Sequence, residues 1–418
     1  MLDIKYIREN ADEIKKQIAR KGAEPALIDE AINLDQRRRD LIAKLEDNQS
    51  ELNKLSKEIA MFHGQQKIDS IKEASTISEK VKELKPELDK ANMEYKKVML
   101  AIPNPPAPEV IDGESDKDNT VNRKWGEPKK FDFKALDNIE LAQKLDLFDT
   151  DRATKVAASR FYYLKNELVI IELSLFRYAL DVLTTEGFIP VIPPVMLNRA
   201  IMEGSGYIPG GEEEIYKTQD DLYLAATAEH PLAGYHMNEI LAEKSLPLRY
   251  VGISTCFRRE AGSHGKDVRG ILRAHQFNKI EMFSFVKPSD SEKEHKYLVS
   301  LEEKLMQSLG LPYQVVNICA GDLGAPATKK FDIEVWMPSE SKYRETHSCS
   351  NCTDFQSRRL NIRFKDKKGK IEYVHTLNGT AFSERPLIAI LENYQQKDGS
   401  IKIPEVLQKY TGFKEIKR

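Results

Sequence analysis

The first hundred residues hold little glycine or proline and carry two long runs in which apolar side chains recur at alternating spacings of four and three. The first run is Leu41, Leu45, Leu52, Leu55 and Ile59, with Asn48 at one seam position. The second is Ala74, Ile77, Val81, Leu84, Leu88, Ala91, Tyr95 and Val98. This spacing puts one narrow apolar stripe on each helix, and a second helix is the simplest cover for it. Met61 to Asp69, which contains Gly64, suits a turn between the two. The pattern predicts an antiparallel helical hairpin, with about 34 residues per helix and a reach of about 50 Å. Pro86 lies inside the second run, where it removes a backbone bond and crowds the preceding turn, so a kink is expected there. Acidic and basic residues balance over residues 1–105. The consecutive Arg37, Arg38 and Arg39 are a local exception and a candidate contact for nucleic-acid phosphate.

The whole chain has 418 residues, of which 31% are charged, and a net charge of −2. That balance excludes a bulk-basic nucleic-acid binder, so any such contact must rest on local patches and on shape. No apolar run approaches the roughly 20 residues needed to span a bilayer, so no membrane association is expected. Met1 to Asn10 is polar and mixed in charge, unlike a signal or transit peptide. Four cysteines in a chain of this length fit a reducing compartment, and the reading is a cytoplasmic enzyme. Cys349 and Cys352 form a lone CxxC with no second pair at zinc-finger spacing, so they are read as ordinary thiols and no zinc is expected.

Pro103, Pro105, Pro106 and Pro108 end the helical region, and the polar stretch Asp112 to Glu127 follows. The expected organisation is an arm over residues 1–105, a linker over 106–130 and a catalytic domain over 131–418. A helical pattern from Ala158 to Thr185 leads into the strand-like Phe188 to Ile192. Further strand candidates are Arg249 to Phe257, His275 to Phe285, Tyr313 to Ile318, Phe331 to Trp336, Arg344 to Cys349 and Ile371 to Leu377. Several follow one another without a helix between them. The expected class is α+β, an antiparallel sheet flanked by helices.

Neither the GxxxxGK[ST] phosphate loop nor GxGxxG nor HExxH is present, and Gly204, Gly206, Gly210 and Gly211 read only as a loop. The segment Phe257 to Phe283 is the main candidate. Its ends are strand-like, and between them lie Gly262, Gly265 and Gly270 with Arg258, Arg259, Lys266, Arg269 and Arg273. A basic, glycine-punctuated hairpin can clamp a polyphosphate, since the planar guanidinium fork matches phosphate oxygens; it can equally be an exposed basic turn. In Asn378 to Gln396, Arg385 precedes Pro386 at the head of an apolar helix, where an anion would meet both the guanidinium and the helix dipole. Thr227-Ala228-Glu229 and Arg344 to Asn351 are weaker polar segments.

Together these segments resemble the seryl-tRNA synthetases of the bacterial and eukaryotic cytosolic type. The resemblance covers the whole chain: the hairpin, IPNPPAPEV, GFIPVIPP, TAE, FRREAGS through GILRAHQFNKIEMF, YRETHSCSNCTDFQSRRL, VHTLNGT and ILENYQQKDGSIKIPEVL. It implies a class II synthetase fold, with Gly187 to Pro194 at the interface of a homodimer. It also implies that Arg258 grips the ATP α-phosphate and the substrate carboxylate, with Arg259 and Glu260 on the same ATP-contacting strand. Arg273 would hold phosphates, Ala274 would touch the nucleotide through its backbone, and Phe277 would stack on adenine. Glu345, Thr346, His347 and Ser348 would be ATP ligands, with Glu345 and Ser348 on the Mg2+ side. Arg385 would meet the terminal phosphate. Thr227, Ala228, Glu229, Glu281 and Thr380, again with Arg258, would form the serine pocket. One departure is that the interval from Asn378 to Arg385 is one residue shorter than in many members, and FSERP is unusual.

The reaction so implied is serine activation by ATP to seryl-adenylate, then transfer to the 3′ end of tRNA(Ser). The arm would grip the long extra arm of the tRNA by backbone and shape. Whether tRNA(Sec) is a second substrate is left open by the sequence. Three rivals are weighed. A paralogue loading a carrier protein lacks the hairpin that this chain has. A catalytically inactive paralogue serving as an RNA-binding or structural protein would normally lose Arg258, Glu345 or Arg385. A pure coiled-coil protein would not need the remaining 300 or so residues.

Overall fold

The apolar stripes do form a hairpin. Helix α1 spans Ala26–Ile59 and helix α2 spans Gly64–Ala101. Leu41, Ile77, Val81, Ala91 and Val98 are buried, and the other named seam residues are half-buried. Asn48 satisfies its amide locally, donating to the Lys44 carbonyl. The turn is tighter than expected, because Gly64 opens α2 instead of sitting mid-loop, leaving only residues 60–63 between the helices. Its φ of +57° is a conformation that favours glycine. Helix α2 runs through Pro86 unbroken; Pro86 lies on the exposed face, where water can satisfy the carbonyl that loses its partner.

The computed structural model describes residues 1–261 and 270–418. The chain divides after Pro103 into two units, Met1–Pro103 and Asn104–Arg418. In the first, short helices at Ile4–Glu9 and Ala11–Ala19 pack Ile7, Ile14 and Ile18 against Ile28, Ala31, Val98 and Met99 at the base of the hairpin. The arginine triplet lies near that base. Asp35 is buried and meets Arg8 at 3.5 Å, Arg38 at 3.4 Å and Arg39 at 3.0 Å. Arg37 reaches across the hairpin to Glu94 at 3.2 Å, and Arg38 lies over the Tyr95 ring.

Among the described residues the second unit is built on an eight-stranded sheet. Its strands are β1 Thr120–Trp125, β2 Ile189–Val191, β3 Leu248–Phe257, β4 Gln276–Val286, β5 Tyr313–Asn317, β6 Lys329–Met337, β7 Lys342–Asn351 and β8 His375–Phe382. Their order is β1-β5-β6-β7-β8-β4-β3-β2, antiparallel throughout except for the β2–β3 edge. Two expectations change. Residues 158–165 are not helical; helix α3 begins at Asn166 and runs to Thr185, preceded by a short strand at Tyr163–Leu164. The stretch read as linker also contributes structure. Its Thr120–Trp125 pairs with β5, and Val110 packs beside Val316 and Ile318.

Later helices are α4 Arg199–Ser205, α5 Glu229–Ala233, α6 Ser291–Ser308, α7 Phe355–Leu360 and α8 Arg385–Tyr394. Helices α3, α6 and α8 share one large core with the sheet, in which Leu175, Leu301 and Ile388 are fully or almost fully buried. Strand alternation then sorts β4. Ile280 and Met282 enter that core, whereas Phe277, Lys279 and Glu281 line a basin on the other face.

Candidate active site

The basin holds about 420 Å³. Of the residues expected at a site, it collects Thr227, Glu229, Arg258, Glu260, Arg273, Ala274, Phe277, Glu281, Glu345, Thr346, Ser348, Thr380 and Arg385. Ala228, Arg259 and His347 do not line it. Ala228 packs in a separate apolar cluster with Leu232 and Phe283. Arg259 is exposed, and its backbone amide donates to the Glu214 carbonyl. His347 points away from the basin, meeting the Ala381 carbonyl through Nε2 at 3.0 Å. Gly262, Gly265, Lys266 and Arg269 lie outside the described residues. Arg37, Arg38 and Arg39 belong to the other unit.

One end of the basin is cationic. Arg258 donates through Nε to the Ala226 carbonyl at 3.1 Å, and its guanidinium lies 5.1 Å from the Phe277 ring centre. This fixes the cation beside an aromatic platform. Arg273 pairs with Glu260 at 3.3 Å. Arg385 opens α8 and pairs with Glu345 at 3.0 Å. The protein walls around Glu345 oppose its ionisation even though its side chain is half open, but Arg385, Lys330 and Arg258 outweigh them and hold its pKa at about 2. Glu345 and Ser348 are three residues apart and on a regular strand would face opposite ways. A bulge at Thr346 corrects this, because Ile333 pairs with His347 while Glu334 pairs with Glu345. Both oxygen donors therefore reach the basin.

The other end is acidic. Glu229 accepts from Gln356 Nε2 at 2.8 Å and from the Tyr207 hydroxyl at 3.4 Å. Burial and then the neighbouring Glu281 push Glu229 up to about 7. Glu281 is raised by burial too, opposed by Lys279, with which it forms an ion pair. Lys279 also donates to Thr227 Oγ1 at 3.3 Å. Glu281 and Thr380 are cross-strand partners, and the Thr380 hydroxyl lies 3.5 Å from the Ser348 carbonyl. Two buried carboxyls with hydroxyls between them suit a small ligand that carries an ammonium and a hydroxyl.

Sequence reasoning passed over Lys279, although 277, 279 and 281 share a face by the two-residue period of a strand. It also passed over Tyr207 and Gln356, which hold Glu229, and over Gly206, Gly210 and Gly211, which line the basin. Nothing local in the sequence marks these, since their roles come from distant pairings. The interval expected to be short, from Asn378 to Arg385, runs through the end of β8 and a two-residue connection. The strand register shifts between Thr380 and Phe382, and then Ser383 and Glu384 alone connect to α8. Both also line the basin.

Two family models match the chain. Residues 214–394 match the family model described as the tRNA synthetase class II core domain (G, H, P, S and T). Residues 1–106 match that of the seryl-tRNA synthetase N-terminal domain. The chain is 48% identical to the serine–tRNA ligase of Dictyoglomus turgidum over all of this chain and 99% of that protein. It is 44% identical to that of Pyrococcus horikoshii over all of this chain and 97% of that protein. Among solved structures, the seryl-tRNA synthetase of Pyrococcus horikoshii complexed with ATP superposes with a TM-score of 0.93, covering all of this chain and 99% of that one at 44% identity. The cytoplasmic serine–tRNA ligase of Naegleria fowleri in complex with AMP gives 0.87 at 37% identity, again over all of this chain and 99% of that one.

Proposed function

The chain belongs to the seryl-tRNA synthetase family, and on that premise we propose how its residues divide the work of a serine–tRNA ligase. The observation that carries the assignment is one basin lined both by Arg258, Arg273 and Arg385 and by the buried carboxyls of Glu229 and Glu281. ATP takes the cationic end, with adenine on Phe277, the α-phosphate at Arg258 and the outer phosphates at Arg273 and Arg385. Serine takes the acidic end, its ammonium facing Thr227 and Glu229 and its hydroxyl facing Glu281 and Thr380. One serine carboxylate oxygen then attacks the α-phosphorus in line. The bond to the bridging oxygen breaks, and pyrophosphate leaves with the electron pair. Arg258 opposes the charge that develops on the α-phosphate, so catalysis comes from positioning and fixed positive charge. In the second step a terminal ribose hydroxyl of tRNA attacks the seryl carbonyl, AMP leaves, and the hydroxyl proton passes to a phosphate oxygen or water.

Glu345 and Ser348 offer hard oxygen donors on one face of β7, and the Glu345 side chain is 47% exposed to the basin. Among the described residues no group of three or more His, Cys, Asp and Glu is arranged to hold a metal. These two donors suit Mg2+ shared with phosphate oxygens. When bound, that ion would neutralise charge on the leaving pyrophosphate.

We further assign the hairpin, with Arg37, Arg38 and Arg39, to tRNA(Ser), and keep tRNA(Sec) as a second candidate. A homodimer through the β2 edge is supported by an apolar face there, where Leu173 is 58%, Ile189 48% and Ile192 82% exposed. No described helix is long and apolar enough to cross a membrane. The reading places the protein in the cytoplasm.

Serine-dependent ATP–pyrophosphate exchange, followed by charging of tRNA, tests the assignment. Serine should support exchange at least a hundredfold better than alanine, which would leave the Glu281 and Thr380 groups unpaired. Threonine should fail for lack of room. Comparable exchange with alanine would refute the serine pocket.

A further inference from the structure

The two residues that join β8 to α8 contain an unassigned carboxyl. Glu384 is 4% exposed and lines the basin. Its Oε2 atom is buried and has no hydrogen-bond partner among the described residues. A buried acceptor left unmatched is costly, so a ligand that brings a donor gains by filling it.

The sheet register says which ligand. Thr380 pairs with Glu281 and Phe382 with Ile280, so the chain moves away from the serine end as it approaches Glu384. Continuing the same way along β4 leads to Phe277, the adenine platform. A second observation agrees. The Tyr162 phenol is raised by burial and then by Glu384 and Glu172, which places Glu384 near Tyr162. Tyr162 in turn lines a neighbouring cavity together with Phe277 and Asn278. The phosphates of ATP carry acceptors only. The donors that ATP can offer at this level are the N–H groups of the base and the O–H groups of the ribose.

We propose that Glu384 is a specificity-determining residue for the nucleoside part of ATP, its carboxyl taking a base N–H or a ribose O–H. The proposal rests on the ATP reading of the basin. Burial pushes Glu384 up to about 7 against the pull of Arg385 and then of Arg258 and Lys279. Near neutrality the carboxyl is thus partly protonated and can donate as well as accept. Glutamine imitates that form.

The test is exchange by the full chain at saturating serine, with ATP, 2′-deoxy-ATP, 3′-deoxy-ATP and purine riboside 5′-triphosphate. Glu384→Ala should raise the KM for ATP about tenfold and leave the KM for serine within about twofold. Glu384→Gln should stay within about threefold of the parent for ATP. The nucleotide lacking the contacted group should lose about tenfold with the parent enzyme and lose nothing further with Glu384→Ala. Loss confined to the purine riboside identifies the base; loss confined to one deoxy nucleotide identifies the ribose. Glu384→Asp, which withdraws the carboxyl by one methylene, should show the same cancellation and decides the matter if the alanine variant does not fold. An unchanged KM for ATP in Glu384→Ala and Glu384→Asp, additive losses with every analogue, or a shift in the serine KM instead would overturn the proposal. Absence of serine-dependent exchange in the parent chain would instead fault the ATP reading itself.

Discussion

Glu229 shows how one residue can report on its ligand. Its hydrogen-bond partners are neutral, a Gln356 amide and a Tyr207 hydroxyl, and together with the Lys279 charge they only partly compensate the loss of water. Burial, aided by Glu281, moves its pKa from the ordinary 4.5 to about 7. A raised pKa means that the fold favours the protonated form. Its contribution to stability is full below about pH 4.5 and is lost as pH rises through about 7, amounting to about 3 kcal/mol. Serine's ammonium reverses the sign, because it favours the carboxylate. Without serine, the thermal midpoint should fall between pH 5 and 8 less steeply in Glu229→Gln than in the parent. Saturating serine should also flatten the parent's slope. Parallel slopes for the two proteins would show that Glu229 is already ionised in the free enzyme.

Helix α4 and helix α7 approach closely at a glycine. A Cβ on Gly204 would fall 2.2 Å from Leu360 Cδ2 and 2.5 Å from its Cγ, inside any tolerable contact. Gly204→Ala should therefore cost about 1–3 kcal/mol in urea unfolding, since two packed helices must separate or Leu360 must leave its rotamer. An unchanged midpoint would mean that this packing is slack. No sequence pattern pointed to that contact, and the contrast with the strands is instructive. Leu248–Phe257 and Gln276–Val286 were legible almost to the residue, because both are rich in β-branched and aromatic residues and the second is buried on both faces over most of its length. Thr120–Trp125 was not, because every residue in it is exposed and its order comes from partners distant in sequence. Residues 158–165 carried a helical pattern that tertiary context overrode. In the basin, Arg258 stood out in a basic hairpin and Arg385 at the head of an apolar helix, whereas Glu281 was implied only by the family resemblance. Tyr207, Gln356 and Glu384 became visible only when strands far apart in sequence came together. The bulge at Thr346, which turns Glu345 and Ser348 to one side, leaves no trace in composition.

The molecule is two units in one chain, and the unit holding the basin has its own core. Removal of Leu34 to Val98 should leave serine-dependent exchange within about threefold of the full chain and abolish tRNA charging. Charging that persists after this deletion would remove the arm from tRNA recognition. The hairpin has a further property that follows from its section alone. At its base Ile28 and Ala31 are wholly covered by neighbouring helices, whereas toward the tip Leu52, Leu55 and Ile59 are only half-covered and Met61 is 69% exposed. Each turn is held by the next, so opening a rung costs least at the tip and most at the root. The arm should behave as a zipper with one closed end. Its amide protons would exchange with solvent in an ordered gradient, fastest around residues 52–72 and slowest near Ala31 and Ala91. A bound RNA would announce its position as the rung at which that gradient stops.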